Sequence, residues 1–285
     1  MCNLSSKVMA CLVQYSLSSL ITTFPTTMKI FKWVFLVMVT VTISHAAPPK
    51  RAYYEIKIYE ITSPDQEKLI DDYLKSAYIP ALHRAGINKV GVFKPIEKDT
   101  AYYGKRIYVL TPFTSLDQFA SLHDVLQKDK QYLAAGKNYI DAPYSTPPFA
   151  RLQSIVLKAF SYMPQPEVPA LKGPRNERVY ELRSYEGHTE KIYHNKVQMF
   201  NEGGEVTLFK RLGFNAVFYG EVLSGSRMPN LMYMTTFENQ ASRDEHWKAF
   251  SNDPEWKKLS SMPEYQNNVS KINIYFVYPT EYSDI

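Results

Sequence analysis

The sequence predicts an α+β protein made of two tandem ferredoxin-like domains, each a βαββαβ unit. Three observations carry the prediction. Tyr54-Glu55-Ile56-Lys57-Ile58-Tyr59-Glu60 returns further on as Tyr180-Glu181-Leu182-Arg183-Ser184-Tyr185-Glu186. Arg84-Ala85-Gly86-Ile87-Asn88 is answered at nearly the same spacing by Arg211-Leu212-Gly213-Phe214-Asn215. Behind each copy, strand-like and helix-like periods follow in the same order. A chain of 285 residues has room for about two domains, and self-similarity on this scale marks a duplicated unit.

In the first copy, residues 53–61 are rich in Tyr and Ile and read as a strand. Ser63-Pro64 supplies a cap and a first-turn proline, and Leu69, Ile70, Tyr73, Leu74, Ala77 and Leu82 then recur at helical spacing. That helix should run to about Arg84, kink at Pro80 and stop at Gly86. Residues 90–95 and 106–112 read as strands joined through Glu97-Lys98-Asp99. Ser115 opens a helix carrying Phe119, Leu122, Val125 and Leu126, and residues 152–160 form the closing strand. The second copy repeats the order. Residues 178–186 are a strand, and Thr189 caps a helix that reaches Arg211 with a break at Gly203-Gly204. Residues 214–222 and 231–237 are strands around a turn at 224–230, residues 242–250 are helical, and residues 272–278 close the unit. The domains are therefore 51–162 and 178–285. Pro164, Pro166, Pro169 and Pro174 make residues 163–177 a stiff linker.

Residues 1–46 read differently. They hold Lys7, Lys29 and Lys32 but no Asp, Glu or Arg, and residues 33–43 are apolar apart from Thr40 and Thr42. Ser44-His45-Ala46 then offers small residues at its first and third positions, the ending of a secretory signal peptide. Cleavage after Ala46 and export, periplasmic or secreted, are expected, with Met28 as the true initiator. A mitochondrial presequence would be Arg-rich, and the apolar run is too short to span a bilayer. Loss of the leader reduces the formal charge of +5 to about +2, so no nucleic-acid footprint remains. It also removes Cys2 and Cys11, and with them any disulfide, thiolate nucleophile or Cys metal site.

The second copy resembles the NIPSNAP family through Tyr180-Glu181-Leu182-Arg183-Ser184-Tyr185, Arg211-Leu212-Gly213-Phe214 and Asp253-Pro254-Glu255-Trp256. The first copy fits more loosely, with Lys57 in place of Arg183 and Asp129-Lys130-Gln131-Tyr132 in the last motif. The resemblance implies a dimeric α/β barrel, formed here within one chain as a pseudo-dimer, with further homo-oligomers left open. The family has no agreed activity, so no catalytic residue carries over. Barrels of this type include cofactor-free monooxygenases, isomerases and haem-handling proteins.

Strand alternation nominates the site. Glu181, Arg183 and Tyr185 share one face of their strand, as do Glu55, Lys57 and Tyr59. The apolar faces (Tyr180, Leu182, Ser184 and Tyr54, Ile56, Ile58) are expected to pack on the helices, and the charged faces to line the barrel with Tyr219 and Glu221. The expected ligand is a small apolar or aromatic molecule. As an enzyme, a cofactor-independent oxygenase or isomerase would use Glu181 or Glu221 as proton acceptor, with Arg183 or Tyr219 steadying negative charge. The plainer reading makes Glu181 and Arg183 an ion pair that holds the sheet together, and a structural or interaction protein would have a filled barrel. His83, His123, His188, His194 and His246 show no ligand spacing, so neither metal nor cofactor is expected. Haem is the alternative the resemblance keeps open. Asp253-Pro254 reads as a helix cap with a first-turn proline, and Trp256 as core.

Overall fold

A computed structural model describes residues 49–99 and 101–285. The expectations for the leader, including the Met28 start and cleavage after Ala46, lie outside the described residues.

The first copy contains strands β1 (Tyr53–Glu60), β2 (Gly91–Pro95), β3 (Arg106–Phe113) and β4 (Arg151–Ala159). The second contains β5 (Val179–Glu186), β6 (Phe218–Ser224), β7 (Asn230–Phe237) and β8 (Lys271–Pro279). All eight close into one barrel in the order β1-β3-β2-β8-β5-β7-β6-β4, every neighbouring pair antiparallel. Each copy alone would be a four-stranded sheet with edges β2 and β4, or β6 and β8. Those edges pair across the copies, Lys94 opposite Tyr278 and Lys158 opposite Glu221. Closure leaves no strand edge unpaired, which is what an isolated sheet of this size cannot achieve. β1 and β5 run the same way around this circuit, so equivalent ends of the two copies meet at one end of the barrel.

The helices form where the caps placed them. α1 (Pro64–Tyr73) starts at Ser63, whose hydroxyl accepts from Gln66 N. A π-helical turn at Leu74–Tyr78 follows, then α2 (Ile79–Arg84). The wide turn lies just before Pro80 and accommodates the missing N–H and the bulk of the ring, so the expected kink takes the form of a bulge. α3 (Leu116–Lys128) is capped by Ser115, and α4 (Lys130–Ala135) and α5 (Lys137–Ile140) follow where no helix was expected. In the second copy α6 (Glu190–Phe200) and α7 (Glu205–Arg211) are separated at Gly204, whose φ of 93° only glycine adopts freely. α8 (Gln240–Asn252) and α9 (Pro254–Ser261) meet at Asp253, which caps α9 by accepting from Glu255 N and Trp256 N. The strand expected from Phe214 begins only at Phe218, because Gly213 and Asn215 both take positive φ (76° and 41°) and turn the chain there. None of these helices is long and apolar enough to cross a membrane.

Three cores result. One lies inside the barrel and is shared by both copies, with Tyr54, Ile56, Ile58, Phe93, Tyr108, Tyr180, Leu182, Phe218 and Met232 among its members. The other two lie between sheet and helices, one per copy, and contain Tyr59 and Tyr78 in the first and Tyr185, Tyr219 and Tyr233 in the second. The facing expected from the sequence is therefore reversed. Tyr54, Ile56, Ile58, Tyr180 and Leu182 look into the barrel, whereas Glu55, Lys57, Tyr59, Glu181, Arg183 and Tyr185 lie under the helices. Alternation separates two faces but does not say which is inner when both are buried. The axis takes the apolar face because it meets the same face of the other copy. The charged face goes under the helices because they bring partners for it.

Candidate functional site

In the second copy the Glu181 carboxylate is fully buried and accepts from four donors. Arg183 Nε is at 2.6 Å, Arg243 Nε and Nη2 at 2.8 and 3.0 Å, and Trp247 Nε1 at 2.8 Å. The Arg183 guanidinium also stacks 3.8 Å from the Trp247 ring centroid and donates to Tyr185 Oη at 2.9 Å, which in turn bonds Tyr233 Oη at 2.8 Å. Burial pushes the Tyr233 hydroxyl well above the phenol range, so it stays neutral. The network is closed: its carboxylate oxygens are taken up by cations and an indole on α8. In the first copy Glu55 accepts from Ser154 Oγ at 2.7 Å and lies 3.4 Å from Lys57 Nζ, which donates to Tyr78 Oη at 2.9 Å. Tyr59 meets Tyr139 at 3.5 Å. Glu221 pairs with Arg51 on the outside of the barrel wall. Tyr219 stacks among Phe160, Phe209 and Tyr233 and borders a cavity of about 300 Å³ between α7 and the linker, outside the barrel. The sequence thus nominated two internal networks and two separate outer positions; the structure brings none of these residues into the barrel.

The barrel itself holds the larger cavity, of about 550 Å³. It opens at the end formed by the last residues of β1 and β5, the first of β3, β4 and β7, and the turn between β6 and β7. Its inner wall is Ile58, Tyr108, Leu182, Val222, Met232 and Tyr275. Toward the mouth the lining becomes polar, with Gln153, Ser184, Ser224 and Asn230, and then cationic, with Arg106, Arg151 and Arg227. Glu60 and Glu186 stand behind this lining. Glu60 accepts from Arg106 and from Gln153 Nε2, both at 2.9 Å, and Arg106 lies over Tyr102, 3.8 Å from its ring centroid. Asn230 Nδ2 donates to Ser184 Oγ at 2.8 Å, which fixes both polar groups at the step between wall and mouth.

The opposite end of the barrel is filled. Tyr54 meets Phe218 with ring centroids 5.3 Å apart, and Phe93 meets Tyr180 at 5.4 Å, so each contact joins the two copies across the axis. Leu171 of the linker and Ile285 pack against the same core. Arg175 ties linker to tail by donating to the Thr280 and Ser283 carbonyls at 3.1 and 3.0 Å. Access is therefore from the arginine end.

The lining can hold an apolar body by contact and a polar group by donation. It contains no carboxylate, histidine or cysteine, so it offers no carboxylate base and no imidazole or thiolate; of the side-chain types that ligate haem iron its lining has Tyr108, Tyr275 and Met232. Among the described residues no group of His, Cys, Asp or Glu is arranged to hold a metal ion. A signal for the true lining was present in the sequence. Arg106 and Arg151 open the strands that run antiparallel to β1, and Arg227 sits in the turn after β6; topology alone carries all three to one end.

A NIPSNAP family model matches residues 180–284, and this segment is a NIPSNAP domain. Among solved structures, a candidate monooxygenase from Lactobacillus acidophilus is 13% identical, with a TM-score of 0.51 over 80% of this chain and 94% of that one. A candidate monooxygenase from Fusobacterium nucleatum is 9% identical, also with a TM-score of 0.51, over 81% of this chain and 93% of that one. At these identities the likeness is one of fold, the α/β barrel. A search of curated proteins returns no match.

Proposed function

We propose that this NIPSNAP-domain barrel binds a small molecule with an apolar or aromatic body in the cavity at its arginine end, and that it does so as an exported protein. The observation that carries the reading is the asymmetry of the barrel's filling. One end is packed by aromatic pairs, linker and tail, while the other keeps about 550 Å³ bounded by apolar side chains inside and polar ones at the mouth. That combination of volume and lining is what small-molecule sites present. Acid–base catalysis, which the monooxygenase names of the fold relatives invite, has less support. Glu181 and Glu221, the proton acceptors it would use, are committed to Arg183, Arg243, Trp247 and Arg51. Export is supported by the composition of residues 1–46 and is checked by sequencing the N-terminus of secreted material.

The test of binding uses N-phenyl-1-naphthylamine, an uncharged apolar dye. Its fluorescence should rise on titration with one saturable site per chain. Ser224→Trp, which places an indole at the exposed rim, should abolish that site without altering thermal unfolding. Absence of saturable binding, or binding unchanged in Ser224→Trp, would overturn the assignment.

A further inference from the structure

The mouth has a property that its apolar wall does not explain. Three arginines line it, and Glu60 and Glu186 are the acids set against them. Glu60 is spent on Arg106, at 2.9 Å. Glu186 reaches Arg227 only at 3.8 Å while accepting from Asn273 Nδ2 at 2.9 Å. Arg227 Nη1 is nevertheless buried and has no hydrogen-bond partner. Arg151 forms no ion pair within 4.0 Å among the described residues, and in the ladder it lies beside Glu60, which Arg106 already occupies. The Arg227 side chain is 38% exposed at the rim, so its cost is modest, but the Nη1 donor that faces inward lacks an acceptor. An acceptor oxygen brought to such a donor by a ligand would form a charge-assisted hydrogen bond, the stronger kind.

The other groups at this level are donors too. The Tyr275 phenol stands in the field of both Arg227 and Arg106, and burial keeps it protonated. The Tyr108 hydroxyl lies beside Arg106 without a well-formed hydrogen bond to it and is also held protonated by burial. The step from wall to mouth thus runs from hydrocarbon, through neutral donors, to three guanidinium groups set against two carboxylates.

Resting on the reading of this cavity as a binding site, we propose that its ligand class is an amphipathic organic anion. The apolar body lies against Ile58, Leu182 and Met232, and the anionic head takes hydrogen bonds from Arg227 and Arg151 at the mouth. Arg106 is held back by Glu60 and shapes the wall beside the head. The two arginines come from different copies, so the head group bridges the duplicated halves. A guanidinium's planar fork suits the paired oxygens of a carboxylate, sulfonate or phosphate.

The experiment compares two dyes on the same scaffold. 1-Anilinonaphthalene-8-sulfonate is N-phenyl-1-naphthylamine with a sulfonate added. With the full chain at low salt the anionic dye should bind roughly tenfold more tightly than the neutral one, as a charge-assisted hydrogen bond requires. In the double variant Arg151→Gln and Arg227→Gln that preference, read as the ratio of the two dyes' affinities for the same variant, should vanish. If the double variant does not fold, Arg151→Gln alone, at an exposed position, should reduce the preference. Equal affinity for the two dyes, or a preference that survives in the variants, overturns the anion assignment and leaves the cavity as a neutral apolar site. Failure of both dyes to bind overturns the binding site itself.

Discussion

Substituting Glu181 by Gln separates the two orientations of the charged strand face. The carboxylate is fully buried, and its four donors come from Arg183, Arg243 and Trp247. Gln keeps the shape and one acceptor oxygen but removes the negative charge, so Arg183 loses its counterion and Arg243 keeps only Asp244, at 3.0 Å. Breaking a buried pair by removing one partner costs about 3–5 kcal/mol. The Arg243 and Arg183 side chains retain 18% and 11% exposure, so water takes up part of the freed charge and the low end applies. An expected loss of about 3 kcal/mol corresponds, for a unit of this size, to a fall in Tm of roughly 6–12 °C. Urea unfolding followed by tryptophan fluorescence measures it directly, since Trp247 is part of the network. Binding of N-phenyl-1-naphthylamine to the folded variant should be unchanged, because Glu181 lies on the far side of the sheet from the cavity. A loss below about 1 kcal/mol accompanied by weakened dye binding would refute the argument and return Glu181 to the barrel.

Two further outcomes follow from local geometry. Gly203→Ala would place a Cβ 2.5 Å from the Met199 carbonyl oxygen and 2.9 Å from its Cα, both backbone, so the end of α6 must shift; a loss of about 1–3 kcal/mol is expected, and an unchanged urea midpoint would contradict it. Stability should also fall in acid through Glu238, whose carboxyl is held below the usual range by the backbone N–H groups of Lys172 and Gly173. A depressed folded pKa contributes stability that is present above the unfolded value, about 4.3, and is lost as pH falls through the folded one. Glu238→Gln should therefore lower the neutral plateau and flatten the acid limb of the stability curve below roughly pH 4; an acid limb identical to that of the parent chain would exclude this anchor.

Legibility in the sequence followed the reach of each signal. The repeat gave the duplicated βαββαβ order, and the caps at Ser63, Ser115, Thr189 and Asp253 stand where side-chain oxygens accept from the first helical turn. These are short-range facts, set by residues within a few positions of one another. The inner face of the barrel was a long-range fact. It depends on Tyr54 meeting Phe218 and Phe93 meeting Tyr180 across the axis, contacts no local period encodes. Charge misled for the same reason: Glu181 looks like a site residue until Arg243 and Trp247, far along the chain, are seen to claim it. The helices of residues 130–140 were missed because the run is short and lies directly behind α3, with Asp129 serving as an end for one helix and a cap for the next.

What the two copies share and where they differ points to the same end of the barrel. Arg84 pairs with Asp129 and Arg211 with Asp253, each tying the end of one helix to the cap of another. The tie lies within each copy's own helical layer, and both copies have it. The mouth is not matched in this way. By register Glu60 faces Arg106 and Arg151, while Glu186 faces Asn230 and Lys271. A homodimer of single domains would present every one of these residues twice, around a two-fold axis, and its mouth would have to suit a ligand seen identically from both sides. Fusing the copies lifts that constraint. Here the first copy supplies Arg106 and Arg151 and the second supplies Arg227 from a turn, so the cavity has distinct sides and can orient a molecule that lacks two-fold symmetry. The polarity from charged mouth to apolar interior runs along the axis and would exist in either arrangement; what fusion adds for an amphipathic anion is a different set of neighbours on each side of its body.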